Sequence, residues 1–307
     1  MKNLKELNGT TVKAKYFGKE IDCIISIDDN YLYLCHDTMP DGLDEAYYER
    51  AKVFAEYEKT YKTTYKSGLS QDWELMDEEL GIYVFGKAEK INLNVEEANF
   101  IKAVCANTFT APALKKIYGS LMLGFSPDAK IVDCPQLECI GGILNITSTQ
   151  AITFPNLKTL KGNLYAEYAS ALNMPAFEVV EGDIFAKAAE TINMPMLKAV
   201  DYFKAKSAKI ISLPNLKAAN RVFANTATEV NLPMLETVSD FEARSAKIIN
   251  LPNLKAANRV FANSAIKLNM PNIAKGIRRL LYRKLDGVGY QRRCGYNVVD
   301  LPKALDC

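Results

Sequence analysis

A pattern with a period of nineteen to twenty residues runs through the middle of the chain. Prolines recur there, each directly after Cys, Phe, Met or Leu, and a large apolar residue follows two positions later. The prolines are Pro135, Pro155, Pro175, Pro195, Pro214, Pro233, Pro252 and Pro271. A unit of this length cannot bury an apolar face alone, so repeats of it are typical of a solenoid, in which each coil covers the next.

Between the prolines, apolar residues form ladders with one member in each repeat. One ladder is Leu164, Ile184, Phe203, Val222, Phe241 and Val260, and alanines stand two and five positions after each member. Apolar residues at a spacing of two indicate strands with one buried face. Small alanines suit corners where coils approach closely. A proline every nineteen residues leaves too little room for a helical solenoid.

We therefore predict a mainly β fold whose central part, residues 89–275, is a solenoid of 19–20-residue coils. The ends break the period. Residues 1–88 are expected to form a small α+β domain, which serves either as a cap on the first coil or as a recruitment module. Residues 276–307 are expected to form a helical C-terminal cap.

Local patterns specify the elements of both ends. Segments 11–18, 19–29 and 30–38 are typical of three strands joined by turns, and 44–66 is typical of an amphipathic helix. Segment 70–86 is expected to return as a strand, and 274–297 to form the capping helix.

The segments LPNLKAAN and FPNLKTLKGNLYA carry a resemblance to a known class of repeats. They resemble leucine-rich repeats and, more closely, the short β-helical coils of receptor L-domain-like proteins. The resemblance covers about residues 100–275 and implies a leucine-rich-repeat-like β-solenoid. The chain departs from ordinary leucine-rich repeats because it lacks the L-x-x-L-x-L-x-x-N core, and function does not follow from this class of fold.

Charge is distributed unevenly along the chain. Residues 1–100 carry a balance of −8, whereas residues 190–307 carry +10. The C-terminal region holds basic residues interleaved with tyrosines, namely Arg278, Arg279, Arg283, Lys284, Arg292 and Arg293 with Tyr282, Tyr290 and Tyr296. Such a patch suits nucleic-acid phosphates, but no nucleic-acid-binding fold accompanies it, and a solvated capping helix is the favoured interpretation.

The residues that usually carry catalysis are scarce. His36 is the one histidine of the sequence, and no P-loop, G-x-G-x-x-G or H-E-x-x-H motif is present. The seven cysteines lack a CxxC pair, which favours reduced thiols over a zinc site. We therefore expect a protein that is not an enzyme and that needs no cofactor or metal. No signal peptide or run of about 18 apolar residues is seen, so we expect a cytoplasmic protein without a membrane segment.

The outward positions of one strand column provide the candidate site. Exposed aromatic residues beside arginines favour protein partners. The candidate partner-binding residues are Tyr165, Phe185, Arg221, Phe223, Arg259 and Phe261. We expect an interaction or scaffold protein that presents this face to a protein partner. The alternatives are a structural component of a bacterial or phage assembly and a carbohydrate-binding or carbohydrate-acting β-helix.

One stretch, LPNLKAANRVFAN, occurs twice, at 213–225 and at 251–263. The copied unit spans 38 residues, or two coils, and includes outward residues that core packing does not require. The copied arginine and phenylalanine reflect either shared binding or a recent duplication.

Overall fold

The computed structural model describes residues 4–28, 31–36, 65–68, 73–103, 106–123, 131–147, 151–273 and 279–282. These residues form a β-solenoid of about nine turns, preceded by antiparallel strands. The described part of the chain contains no helix with the length and apolar character required to cross a membrane.

Each coil presents up to three strand columns, which we call faces 1, 2 and 3, and all pairs between coils are parallel. Face 1 contains the strands that precede each proline: Lys90–Asn92, Thr108–Thr110, Ile131–Asp133, Ala151–Thr153, Ala171–Asn173, Thr191–Asn193, Ile210–Ser212, Glu229–Asn231, Ile248–Asn250 and Lys267–Asn269. Face 2 contains Glu97–Ala98, Lys116–Ile117, Cys139–Ile140, Thr159–Leu160 and Val179–Val180. Face 3 contains Phe100–Lys102, Leu121–Met122, Leu144–Asn145, Leu164–Tyr165 and Ile184–Phe185.

In the later coils, faces 2 and 3 merge into continuous strands: Ala199–Lys204, Ala218–Phe223, Thr237–Glu242 and Ala256–Ala262. The merger coincides with the change from twenty to nineteen residues per repeat. The additional residue of the longer coils lies in a bend between the two faces, where Gly142, Gly162 and Gly182 stack. A Cβ atom on Gly162 would lie 2.6 Å from the carbonyl oxygen of Gly142, so the bend requires glycine.

The repeated proline occupies the second position of a hydrogen-bonded turn, where its fixed φ is favourable. In one coil, the amide of Leu216 donates to the carbonyl of Leu213 across Pro214, at 3.2 Å. A second turn joins face 3 to the next strand of face 1, and there Ala227 donates to Ala224 at 3.1 Å. The alanines two and five positions after each residue of the apolar ladder are therefore the first and last residues of this second turn.

The core confirms the side-chain directions predicted from the ladders. All six members of the apolar ladder that begins at Leu164, and all six alanines two positions later, have no exposed surface. The residue two positions after each proline is also buried. The core is one continuous column that extends from Tyr83 to Ile273.

Polar side chains also form ladders between coils. On face 1, the amide of Asn250 donates to Asn231 at 2.8 Å and accepts from Asn269 at 2.7 Å. A second ladder joins the asparagine after a proline to the proline carbonyl one coil earlier, as in the 2.8 Å bond from Asn253 to Pro233. Exposed lysine–glutamate pairs form a third ladder, although pairs of this kind contribute little to stability.

The N-terminal residues form a sheet that is continuous with the solenoid. A 3₁₀ turn at Leu4–Leu7 is followed by the strands Thr11–Tyr16, Lys19–Asp28, Tyr31–His36, Tyr65–Gly68, Trp73–Asp77 and Ile82–Val84. The strand Ile82–Val84 pairs antiparallel with the strand before it and parallel with Phe100–Lys102 of face 3. A second core, around Trp73, also includes Phe100 and Met122 of the first coils.

These strands confirm the three predicted for residues 11–38, but they revise the rest of the α+β prediction. Within segment 70–86, the described residues from 73 onward form a hairpin through Gly81, which has a positive φ of 63°, instead of one strand. The predicted helix at 44–66 lies outside the described residues except for Tyr65 and Lys66, which belong to a strand that pairs with Cys35 and His36. The described part of residues 1–88 is thus a β-sheet with one 3₁₀ turn.

The predicted C-terminal helix is wrong at the residues that the structure describes. Arg279–Tyr282 is a strand, and it adds another parallel rung beside Arg259–Ala262. The rest of the predicted cap, including Arg283, Lys284, Arg292 and Arg293, lies outside the described residues.

Candidate partner-binding face

The candidate residues occupy the outward side of face 3, where the register aligns them in columns. Tyr165 pairs with Phe185, Phe185 with Lys204, and Lys204 with Phe223. The side chains alternate with the buried ladder, as the spacing of two predicts. All four are partly buried and remain accessible from solvent.

Four rings on this face form a contiguous row that we call the aromatic row: Tyr165, Phe185, Tyr202 and Phe223. Tyr165 stacks on Phe185 with ring centroids 5.2 Å apart and an interplanar angle of 5°. Tyr202 then contacts Phe185 at 5.6 Å and Phe223 at 5.1 Å, edge to face in both cases. Offset and edge-to-face pairs at these distances are favourable for aromatic side chains.

Tyr202 is the member of the row that the sequence prediction missed. It stands in the neighbouring outward column, aligned with Arg221 rather than with Phe185 or Phe223. Its ring bridges the gap that Lys204 leaves between the two phenylalanines, and the Lys204 ammonium lies 5.9 Å from the ring centroids of Phe185 and Tyr202. The signal was present in the sequence as an aromatic at an outward position of the intervening coil.

The N-terminal sheet carries a tyrosine within electrostatic range of the first end of the aromatic row. Tyr31 begins the strand Tyr31–His36, and 43% of its surface is exposed. Partial burial, followed by the nearby hydroxyls of Tyr165 and Tyr33, raises the pKa of Tyr31.

The two arginines predicted to bind a partner are engaged within the protein. Arg259 donates to both carboxylate oxygens of Asp240, with 2.5 Å from Nε to Oδ1. Arg221 approaches the same carboxylate from the other side, with 3.6 Å between Nε and Oδ2. The hydrogen bond from Arg259 lowers the pKa of Asp240, which is only 5% exposed. Arg221 and Arg259 therefore hold a buried acid in addition to facing outward.

Phe261 is a correction to the predicted site, because it is buried with 5% of its surface exposed. The strand Arg279–Tyr282 places Leu281 beside it in register, and the Arg244 guanidinium carbon lies 4.7 Å from its ring centroid. Phe223 and Phe261 are copies in sequence, but only Phe223 is accessible to a partner.

The charges near the aromatic row are of both signs. Glu167 pairs with Lys187 at 2.7 Å. Burial, followed by the nearby carboxylate of Asp201, raises the pKa of Asp183. Lys204 carries positive charge into the middle of the row, and Lys206 follows just beyond the end of the strand.

The residues considered for catalysis or metal binding lie away from this face. His36 is 2% exposed and packs against Trp73, with ring centroids 5.6 Å apart. Burial raises the pKa of Cys23 to about 11 and that of Cys134 to about 12, so both remain protonated thiols at neutral pH. Within the described ranges, no three His, Cys, Asp or Glu side chains come together as a metal site would require.

A cavity of about 360 Å³ lies between the first hairpin and the strands that lead into the solenoid. Lys13 and Glu20 line it and pair with each other at 2.8 Å, beside Lys15 and Glu74. It is separate from the aromatic row.

Comparison of the chain with models of known protein families, with curated proteins and with solved structures gives no match, so the likeness to leucine-rich repeats and L-domain coils is one of repeat pattern only.

Proposed function

We propose that the protein is a non-enzymatic interaction scaffold that presents the aromatic row to a protein partner. The observation that supports this proposal is the row itself: four rings in continuous contact on a regular strand face, none of them fully buried. Aromatic side chains carry much of the binding free energy at protein interfaces, and contiguous exposed patches of them mark interaction sites.

The solenoid supports the proposal by holding the row in place. Each ring is attached to a strand that is hydrogen-bonded to a coil on both sides. A partner would therefore meet side chains whose backbone is already ordered, which reduces the entropy cost of binding.

The proposal is tested by capture with the full chain. Wild-type protein and the double variant Phe185→Ser/Phe223→Ser are immobilised, and proteins bound from an extract of the source cells are quantified by mass spectrometry. We expect a partner to be captured by wild type and lost from the variant. Binding is then confirmed by titration of the two purified proteins.

A control variant exists on face 1. Ile210 and Ile248 are aliphatic residues that are 56% and 42% exposed, and Ile210→Ser/Ile248→Ser should capture the partner as wild type does. Circular dichroism and thermal melts establish that both variants fold. If the aromatic variant retains every protein that wild type captures, the row is not the binding site.

A further inference from the structure

Most charged side chains on the outward side of face 3 already have a partner of opposite sign. Arg259 pairs with Asp240, and Arg244 lies 3.2 Å from Glu242. Within the described part of the chain, Lys204 and Lys206 form no ion pair; Lys204 has only its contacts with aromatic rings.

Lys204 occupies the centre of the aromatic row, and Lys206 lies at its edge. Lys204 is in register with Phe185 on one side and with Phe223 on the other. Lys206 follows at the next outward position and is exposed, while Ala205 between them is buried. The row thus combines apolar rings with two positive charges that no acidic group of the described protein neutralises.

The location coincides with an irregularity of the solenoid. Face 3 is separate from face 2 at Ile184–Phe185 and joins it in the strand Ala199–Lys204. One residue is lost from the bend at this step, and the outward aromatic shifts from the column of Phe185 to that of Tyr202 and back again at Phe223. The rings therefore make contact in a zigzag across two columns.

We infer that the aromatic row takes an extended, acidic segment of a protein partner, whose carboxylates pair with Lys204 and Lys206 while its apolar side chains lie on the rings. This inference rests on the proposed function and adds the chemistry of the partner. Charge complementarity of this kind gives specificity and speeds association.

The dimensions of the row fit a short peptide segment. Successive ring centroids are 5.1–5.6 Å apart over three steps. Because the rings zigzag, the length of the row is set by its three inter-coil steps of about 4.8 Å, or about 14 Å, which an extended chain at about 3.3 Å per residue spans in about four residues. Every second side chain of such a segment faces the protein, so the apolar residues that lie on the rings and the acidic residues that pair with Lys204 and Lys206 belong to the same face of the segment.

The number of unpaired cations disfavours a nucleic acid at this face. Arg221, Arg244 and Arg259 stand beside the row but are paired with Asp240 or Glu242. Nucleic-acid binding depends on neutralising several phosphates in succession, and the row itself offers Lys204 and Lys206. Two lysines suit a few carboxylates better.

The test uses the full chain and a fluorescein-labelled decapeptide in which leucine and glutamate take turns at every second position with serine between them, followed by fluorescence anisotropy at low salt. We expect saturable binding that weakens at least about tenfold in Lys204→Glu/Lys206→Glu and decreases as salt is added. The control variant Lys217→Glu/Lys267→Glu changes net charge equally at exposed sites elsewhere and should bind as wild type does. A decapeptide with lysine in place of glutamate and a ten-nucleotide oligothymidylate should bind far more weakly.

Three results would overturn the inference: absence of binding by the acidic peptide, equal binding by the Lys204→Glu/Lys206→Glu variant, or equal binding of the lysine peptide or the oligonucleotide. The proposed function is tested separately. If a partner is captured through Phe185 and Phe223 but is unaffected by charge reversal at Lys204 and Lys206, the scaffold function stands and the acidic-segment inference fails.

Discussion

Arg259 holds the buried carboxylate of Asp240 from the next coil, while Arg221 approaches it from the coil before. The two arginines are the same residue of the duplicated stretch, and Asp240 stands in the coil between the copies. Core packing does not require an arginine at an outward position. The buried carboxylate of Asp240, however, is paired with one arginine on each side. The copied arginine therefore has a structural reason that is independent of any partner.

Replacing Asp240 with asparagine should destabilise the protein at neutral pH. The substitution keeps the volume but removes charge-assisted hydrogen bonds to a buried group, and bonds of this kind contribute about 1.5–3 kcal/mol. We expect a lower midpoint of urea unfolding at pH 7. Ser239→Ala, at the adjacent half-buried position, serves as the control. Equal midpoints for Asp240→Asn and wild type would show that the pair makes no net contribution.

The destabilisation by Asp240→Asn should depend on pH. Arg259 lowers the pKa of Asp240 in the folded state, so the stabilisation is fully present above the unfolded pKa of about 3.9 and is lost as the pH falls through the lower folded value. We expect the difference in unfolding free energy between wild type and variant to be constant from pH 7 to pH 5 and to shrink below about pH 4. Urea titrations at several pH values measure it, and a constant difference down to pH 2.5 would contradict this assignment.

Gly162→Ala should be among the more destabilising substitutions in the solenoid. The new Cβ would lie 2.6 Å from the Gly142 carbonyl oxygen, which is backbone held by a neighbouring coil. Overpacking of this kind costs about 1–3 kcal/mol. Thermal unfolding followed by circular dichroism checks the loss. Gly9 offers a contrast because no atom lies within 4 Å of a Cβ built there, so Gly9→Ala tests only the cost of its positive φ of 83°.

Replacing an asparagine in the middle of the face 1 ladder should lower the unfolding free energy more than replacing the asparagine at its end. Asn250 both donates to Asn231 and accepts from Asn269, whereas the structure gives Asn269 a single bond in the ladder, its donation to Asn250. At about 1 kcal/mol for each net hydrogen bond, Asn250→Ala should cost roughly twice as much as Asn269→Ala. Chemical denaturation of both variants measures the ratio. Equal losses would indicate that the ladder bonds are exchanged for water without cost.

The period and the ladders predicted the solenoid and its buried residues because inward positions must be apolar in every coil. They could not predict which outward residues would pair, since that depends on the register between coils, as with Asp240 and Arg259. The shift from twenty to nineteen residues was visible in the proline spacing. Only the structure shows the consequence of this shift, which is a merged strand that brings Tyr202 between Phe185 and Phe223.

Two other differences arise at the C-terminal end of the solenoid. Segment 274–297 has a composition typical of a helix, but Arg279–Tyr282 lies next to the unpaired edge of Arg259–Ala262 and forms a strand there. Pairing with an open strand edge satisfies backbone groups that would otherwise lack partners, and this outweighs local helix propensity. Phe261 lies in register with this strand and is buried, so the cap prediction and the site prediction fail at the same edge.

Asp183→Asn should increase both stability at neutral pH and affinity for an acidic peptide. Burial, followed by the carboxylate of Asp201, raises the pKa of Asp183, so the folded protein disfavours its charged form. The folded state is therefore relatively most stable below the unfolded pKa of about 3.9, and this advantage is lost as the pH rises through the folded value. We expect the variant to gain unfolding free energy over wild type at pH 7 and not at pH 3.

Removing a negative charge beside Phe185 should also strengthen binding of the glutamate–leucine decapeptide. Glu181→Gln, at an exposed position of the same coil, is the comparison for the effect of charge alone. Higher stability without tighter peptide binding would place the acidic segment away from Asp183.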